Sequence, residues 1–248
     1  MVADNVQTHS RQAKELYYLS NHTFACLGDH HCVFLDLRRD AYLTVGRDEM
    51  EALGPWIVGW TATGEPVHSE STTMPDQPLQ TAEQLVKRGV LTTVQTQGKE
   101  LAAPRVSMAT AEFERRSRPP SFKPHHAYNF VKASIDAFAS LRWKPLERTV
   151  GEVRQRKARR ENARSRASDD TNLVEIFDHL RPYFPRDYLC LFDSLALVNF
   201  LARYGRFPQW VFGVRSDPFS AHCWVQQDSC VLNDSMEHVQ TYVPIMSV

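Results

Sequence analysis

The segment from residue 190 to residue 234 constrains the fold of this chain more than any other. It begins with CLFDSLALVNFLARYG, residues 190–205, in which apolar side chains occur on every face of a helix. A helix of this kind is buried, and Gly205 is the residue type that most often ends helices in the left-handed conformation. Cys190 stands in the first turn, where unpaired N–H groups and the positive end of the helix dipole favour a thiolate. The segment therefore predicts a buried helix with a reactive cysteine at its N-terminus.

The sequence after this helix predicts a β-hairpin that carries a histidine and an aspartate. A three-residue loop at residues 227–229 pairs His222 directly with Asp234, and the Cβ atoms of such a pair are about 4.5–5.5 Å apart. At this distance a carboxylate can hold one imidazole nitrogen while the other nitrogen faces the thiol. A register shifted by one residue would instead place Asn233 or Ser235 opposite the histidine.

The three side chains together favour a catalytic site. Alone, a cysteine on a buried helix or a histidine on a strand is usually an ordinary structural residue. In the order found here, Cys190 is the candidate nucleophile, His222 the general base and Asp234 the orienting acid. Backbone N–H groups at the cysteine could hold an oxyanion. Cys223 and Cys230 are expected to be non-catalytic, so serine at either position should preserve activity.

This layout resembles that of transglutaminase-like and papain-like folds. The segment also resembles a narrower family, the leader peptidases of lasso-peptide biosynthesis called B proteins. The matching text is CLxxSLALxxxLARxG from residue 190, FGVRxDPFxAHxWV from residue 212, and VLND at residues 231–234. The resemblance implies a cysteine endopeptidase that removes the leader from a precursor peptide. It also implies a partner, an asparagine-synthetase-like cyclase that uses ATP to close the macrolactam.

The N-terminal part of the chain predicts strands followed by helices. Strand-like apolar runs separated by turn residues predict three strands, at residues 22–27, 32–37 and 41–45. Helices are expected after Asp48 and from Thr81, where capping signals precede apolar residues. This order predicts a winged-helix-like domain over residues 1–100.

A winged helix can bind DNA or a peptide. The expected last helix offers only Lys87 and Arg88 as cations, too few for firm binding to phosphates. The domain resembles instead the leader-recognition element of ribosomal-peptide modification systems, where the leader adds a strand to a sheet edge. That resemblance implies a peptide-binding surface formed by Ala41, Tyr42, Leu43, Thr44, Val45 and Leu85.

The rest of the chain is expected to link and support the catalytic segment. Residues 101–120 contain Pro104, Pro119 and Pro120 with serine and arginine, and predict a linker. Residues 121–248 are then the peptidase domain. The basic run between Arg154 and Arg166 predicts either a solvated helix face or a docking surface for an acidic partner or a nucleotide.

Composition excludes several other classes. Lys plus Arg and Asp plus Glu both number 29, so no net field attracts nucleic acid or an anionic membrane. The sequence has no apolar run long enough to span a membrane and no apolar secretory core at its N-terminus. Five cysteines without framework spacing suit a reducing, cytoplasmic location. No spacing typical of a metal site and no Gly-rich phosphate loop is recognisable, although the family resemblance implies that leader removal can depend on ATP.

The sequence therefore predicts an α+β protein with a winged-helix-like recognition domain and a transglutaminase-like, papain-type peptidase domain. Its predicted function is leader removal from a lasso-peptide precursor. Two alternatives remain open: an acyl transferase of the same fold that hands the thioester to an amine, and a non-catalytic winged-helix scaffold or DNA-binding regulator.

Overall fold

The computed structural model describes residues 16–28, 30–60, 74–114, 120–161 and 170–248. Its strands are β1 (Tyr18–Ser20), β2 (Thr23–Leu27), β3 (His31–Asp36), β4 (Ala41–Gly46), β5 (Leu91–Thr92), β6 (Gly98–Lys99), β7 (Ala111–Glu112), β8 (Gln209–Ser216), β9 (Phe219–Gln227), β10 (Cys230–Val231) and β11 (Val243–Ser247). Its α-helices are α1 (Arg47–Leu53), α2 (Asp76–Lys87), α3 (Pro124–Trp143), α4 (Leu146–Glu161), α5 (Asp170–Leu180), α6 (Cys190–Ala202) and α7 (Met236–Val239). None of the described helices is long and apolar enough to cross a bilayer.

The chain forms two compact units whose boundaries differ from the predicted domains. The first unit comprises Met1–Asn21 and Gly46–Ala102, and the second comprises His22–Val45 and Ala103–Val248. The predicted boundaries at 1–100, 101–120 and 121–248 therefore do not coincide with this division.

The first unit combines a small sheet with two helices. Its antiparallel strands have the order β5-β1-β6, and α1 packs against α2. Helix α1 ends at Leu53 because Gly54–Trp56 forms a 3₁₀ helix that contains Pro55. Helix α2 begins at Asp76, after Pro75, and not at the capping signal at Thr81.

The three predicted N-terminal strands form one sheet, in the order β2-β3-β4. This sheet belongs to the second unit. Strand β3 is buried along nearly its whole length, and Val33, Leu35 and Leu37 lie in the same hydrophobic core as α6 and β8. A winged helix would require these strands in one unit with α1 and α2, and such a domain is not what the structure shows.

The second unit is built around a five-stranded sheet in the order β11-β8-β9-β10-β7. Neighbouring strands are antiparallel except for the parallel pair β7 and β10. Helix α6 packs against β9 and α3, and its residues from Ser194 to Leu201 are all buried. Gly205 has a φ of 76°, which confirms the predicted left-handed residue after this helix.

Part of the predicted linker is bound to the five-stranded sheet. Residues 111–112 form β7. Upstream of that strand, the side-chain amides of Gln226 and Gln240 donate to the carbonyls of Ser107 and Ala109 at 2.7 and 2.8 Å. Together with the pairing of β7 and β10, these contacts make this part of the segment a component of the second unit. Residues 115–119 lie outside the described residues.

The basic run contributes to packing as well as to surface charge. The guanidinium of Arg154 lies 5.1 Å from the centre of the Phe24 ring, and Arg156 donates to the Asn199 side chain at 2.7 Å. Arg164 and Arg166 lie outside the described residues. At least two arginines of the predicted charged face are therefore engaged with the rest of the second unit.

Candidate active site

The structure brings the three predicted catalytic side chains together. Cys190 is the first residue of α6, His222 lies within β9, and Asp234 follows β10. The Nε2 atom of His222 lies 2.5 Å from Oδ2 of Asp234. Cys190 and His222 also interact, so that each shifts the pKa of the other. Because Asp234 occupies Nε2, the Nδ1 atom is left to face the thiol.

The hairpin reaches this arrangement through a register different from the predicted one. Gln227 pairs with Cys230, so the turn contains two residues, and Asp228 adopts a positive φ of 53°. The predicted three-residue loop, with His222 directly opposite Asp234, is wrong. The pairing extends to a hydrogen bond from Leu232 N–H to the carbonyl of Val225 at 2.9 Å.

The chain bends after Leu232, and this bend decides which side chain meets the histidine. Asn233 turns its side-chain oxygen back to accept from the N–H of Val225 at 2.7 Å. The bend places Asp234 beyond the last residue pair of β9 and β10, where its carboxylate contacts His222. Of the two predicted alternatives for the orienting residue, Asp234 contacts His222, whereas Asn233 binds the backbone of β9.

The hydrogen bonds of the site favour a thiolate–imidazolium pair. Hydrogen bonds from Cys223 and then from His222 lower the pKa of the Cys190 thiol to about 4, against the opposing effect of its partial burial. Burial lowers the pKa of His222, but hydrogen bonds to Asp234 and Cys190 outweigh it and raise that pKa to about 9. Between these two values Cys190 carries a negative charge and His222 a positive one.

This charge state predicts a distinctive reactivity. We expect the rate of Cys190 alkylation by iodoacetamide to rise as pH increases through about 4 and to be already high at neutral pH, because the thiolate has formed by then. An ordinary thiol reacts appreciably only near its own pKa of about 8.5. Rates measured by mass spectrometry across this range test the pair.

The other cysteines provide the internal comparison. Burial raises the pKa of Cys26 and of Cys32 to about 12, so neither should compete for the reagent at neutral pH. The Cys190→Ser variant should lose the rapid phase. A profile that rises only in the alkaline range would show that the thiolate–imidazolium pair does not form.

Cys223 was predicted to be non-catalytic, but it lies at the site. Its side chain and its backbone N–H both lower the pKa of Cys190, and burial raises its own pKa well above the ordinary value, so it remains a thiol. Its sulfur lies 3.4 Å from Oγ of Ser194, which accepts from the indole N–H of Trp210 at 2.8 Å. Serine at Cys223 keeps a donor, whereas alanine would remove one of the groups that hold the thiolate.

A buried ion pair orders the segment that leads to Cys190. Arg181 donates through Nε to Asp193, whose other oxygen accepts from the N–H of Leu189 at 2.8 Å. The same guanidinium donates to the carbonyls of Arg186 and Asp187 at 3.1 and 3.0 Å. The backbone just before Cys190 is therefore fixed by one arginine, and no local sequence signal pairs the two charged residues.

Asp234 also binds a second histidine. Nδ1 of His238, in α7, lies 3.0 Å from both carboxylate oxygens of Asp234. The backbone N–H of Ser235 donates to Oδ1 at 2.7 Å. The sequence contained no clear signal for this contact, because Asp234 precedes the short helix that carries His238.

The predicted peptide-binding residues are divided between the two units. Strand β4 is an outer strand of its sheet among the described residues. Along it Ala41 and Thr44 are exposed and the three residues Tyr42, Leu43 and Val45 are partly buried. The Tyr42 ring packs edge-on against Phe219 of β9, with 5.6 Å between ring centres. Leu85 belongs to the first unit and is only 3% exposed, so its side chain offers no surface to a ligand.

Comparison with known proteins identifies the C-terminal part of the chain. Residues 134–247 match a family model of the transglutaminase-like superfamily. No curated protein and no solved structure matches the chain. The matched range includes Cys190, His222 and Asp234, and it carries a transglutaminase-like domain, as predicted. Members of this superfamily are typically cysteine peptidases or acyltransferases.

Proposed function

We propose that the transglutaminase-like domain at residues 134–247 is a cysteine endopeptidase that removes the leader from a lasso-peptide precursor. The observation that supports peptidase chemistry most directly is the Cys190–His222 pair, backed by the carboxylate of Asp234. The likeness of residues 190–205 and 212–225 to the B-protein motifs supports the choice of substrate.

The charge states of Cys190 and His222 define what each residue does in the reaction. The Cys190 thiolate attacks the carbonyl carbon at the leader–core junction, and N–H groups of the first turn of α6 stabilise the oxyanion. His222, already protonated, gives its Nδ1 proton to the departing core amine. Water then attacks the thioester, with His222 accepting its proton, and releases the leader as a carboxylic acid. Asp234 keeps Nε2–H in place throughout.

We assign leader recognition to the outer edge of β4. An extended peptide can add to such an edge through main-chain hydrogen bonds, with alternate side chains entering pockets. Because β4 up to Val45 belongs to the same compact unit as Cys190, a leader bound there is held at high effective concentration near the nucleophile. Tyr42, packed against Phe219 of the strand that carries His222, connects this edge with the site.

The proposed pathway includes a partner. The released core has a free N-terminal amine, which an asparagine-synthetase-like cyclase would join to an internal acid using ATP. Any ATP dependence of leader removal would then act through that partner.

The direct test is mass analysis of the products from a synthetic precursor. We expect two fragments whose masses sum to that of the precursor plus one water. If added amines appear on the new C-terminus of the leader in preference to water, the acyl-transferase alternative is correct. Salt-dependent DNA binding that is indifferent to loss of Cys190, with no cleavage, would support the non-catalytic regulator.

Proline substitution tests the recognition edge. Backbone N–H groups along β4 point alternately toward β3 and away from it, so one of Leu43 and Thr44 faces outward. Proline removes that donor, and we expect it to weaken leader binding by about tenfold at the outward position. Fluorescence anisotropy with a labelled leader peptide measures the affinity.

The companion variants distinguish binding from folding. Leu43→Ala and Thr44→Ala keep the N–H groups and should bind the leader normally. Proline at the inward position should lower the melting temperature, because it breaks the pairing with β3. Unchanged leader affinity in both proline variants, with the fold retained, would show that the leader binds elsewhere.

A further inference from the structure

A second set of ligand groups surrounds the carboxylate end of the catalytic triad. His222, Asp234 and His238 each offer a ligand atom, and these atoms all lie within 4.8 Å of one another. Asp234 lies between the two rings: its carboxylate is 2.5 Å from Nε2 of His222 and 3.0 Å from Nδ1 of His238. Two imidazoles and a carboxylate are a common donor set for zinc and neighbouring divalent metals.

We propose that these three side chains bind a divalent metal ion of the zinc class, and that the bound ion reversibly inactivates the enzyme. In a tetrahedral zinc site, ligand atoms are separated by about 3.3 Å, given zinc–ligand distances of about 2.0 Å. Both histidine nitrogens already lie within 1 Å of that separation from the carboxylate. Small side-chain rotations therefore suffice, and water would complete the coordination.

The surroundings of the cluster suit such a site. The side chain of His238 is 47% exposed, so the ion can enter from its side. The Tyr242 ring packs against both imidazoles, with ring centres 5.1 and 5.4 Å away. The N–H of Ser235 binds Oδ1 of Asp234 at 2.7 Å. Contacts of this kind orient ligands and strengthen metal binding.

The position of the ion explains why it would inhibit. It replaces the proton on Nε2 of His222 and releases that proton to solvent, while Nδ1–H stays directed at Cys190. Transfer of the remaining proton to a leaving amine would then leave an anionic imidazolate on the metal, which is much less favourable than neutral imidazole. Cys190, on the opposite side of the ring, is not a ligand. The inhibition rests on the proposed peptidase function, but metal binding does not.

Direct binding to the full chain provides the first test, with Co²⁺ followed by its visible absorption and Zn²⁺ by calorimetry. We expect His238→Gln to lower the affinity for both metals by at least about tenfold, since even the outer partners of a ligand contribute 10- to 100-fold to metal affinity. Cys190→Ala should bind both as the wild type does. His30→Gln, at an exposed histidine outside the cluster, is the matched control.

Two results would overturn the site. One is the absence of Co²⁺ and Zn²⁺ binding in the wild type. The other is binding that His238→Gln leaves unchanged or that Cys190→Ala alone removes, which would place the metal on the thiol. Because His238 is half exposed, glutamine there should leave the melting temperature unchanged, and this measurement separates ligand loss from misfolding.

The second test concerns activity. Zn²⁺ should inhibit precursor cleavage, a chelator should restore it, and His238→Gln should shift the inhibitory concentration by the same factor as its affinity. Metal binding with no cleavage under any condition would refute the proposed function and leave the site standing. Cleavage that saturating Zn²⁺ does not affect would refute the inhibitory role.

Discussion

Replacing Cys190 with alanine should abolish precursor cleavage while leaving the protein folded and able to bind the leader. The substitution removes the attacking sulfur, and the rate should fall by at least about four orders of magnitude, since members of a catalytic triad act as a unit. Cys190 is exposed, so its loss costs little packing. Chromatography with mass detection measures the cleavage rate, and anisotropy with a labelled leader measures the binding.

The remaining cysteines make this test specific. Cys230 is partly buried, and its sulfur donates a weak hydrogen bond to the carbonyl of Val231, so Cys230→Ser should keep full activity. Cys223→Ser should keep most of it, because a hydroxyl can still donate to the thiolate. Substantial turnover by Cys190→Ala would mean that the nucleophile lies elsewhere, and an inactive Cys230→Ser would mean that a second thiol is required.

Helix α6 shows which features of this protein are predictable from sequence. Its apolar residues fill every face, its first residue is the cysteine, and a glycine follows it in the left-handed conformation. These are local properties, and periodicity and residue type encode them directly. The pairing of His222 with Asp234 was also predicted, but through the wrong register. A two-residue turn shortened the hairpin, and the bend after Leu232 restored the contact.

Contacts between distant segments were not predictable in the same way. Nothing near Arg181 indicates that Asp193 will be its partner, and nothing near Cys190 shows that Cys223 will lower its pKa. The prediction that strands β2 to β4 form one domain with α1 and α2 differs from the structure for a related reason. The apolar runs and turn residues predicted the strands themselves, yet they do not indicate which helices cover them. The available signal was the run of four consecutive apolar residues from Cys32 to Leu35 in β3, because a strand with such a run is buried on both faces and needs cover on both.

This placement leads to the second large expected effect. A fragment of residues 121–248 contains the entire range that matches the transglutaminase-like family, but we expect it not to fold. It lacks Val33, Leu35 and Leu37, which are buried in the core formed with α6 and β8. Removing three such side chains at once exposes apolar surface and leaves a cavity at each site. Circular dichroism and thermal unfolding of the fragment beside the full chain would show the loss of a cooperative transition.

A single substitution makes the same point without truncation. Leu35 is completely buried, so Leu35→Ala should lower the free energy of unfolding by about 2–5 kcal/mol, as large-to-small changes in cores do. Thr44→Ala, at an exposed position on the neighbouring strand, should change it by less than about 0.5 kcal/mol. Cooperative unfolding of the fragment 121–248, together with rapid alkylation at its Cys190, would contradict this expectation. That result would show that the three strands form a separable recognition module, as the sequence alone suggested. If it does not fold, these strands are part of the catalytic unit, and leader binding on β4 takes place within the body that carries the nucleophile.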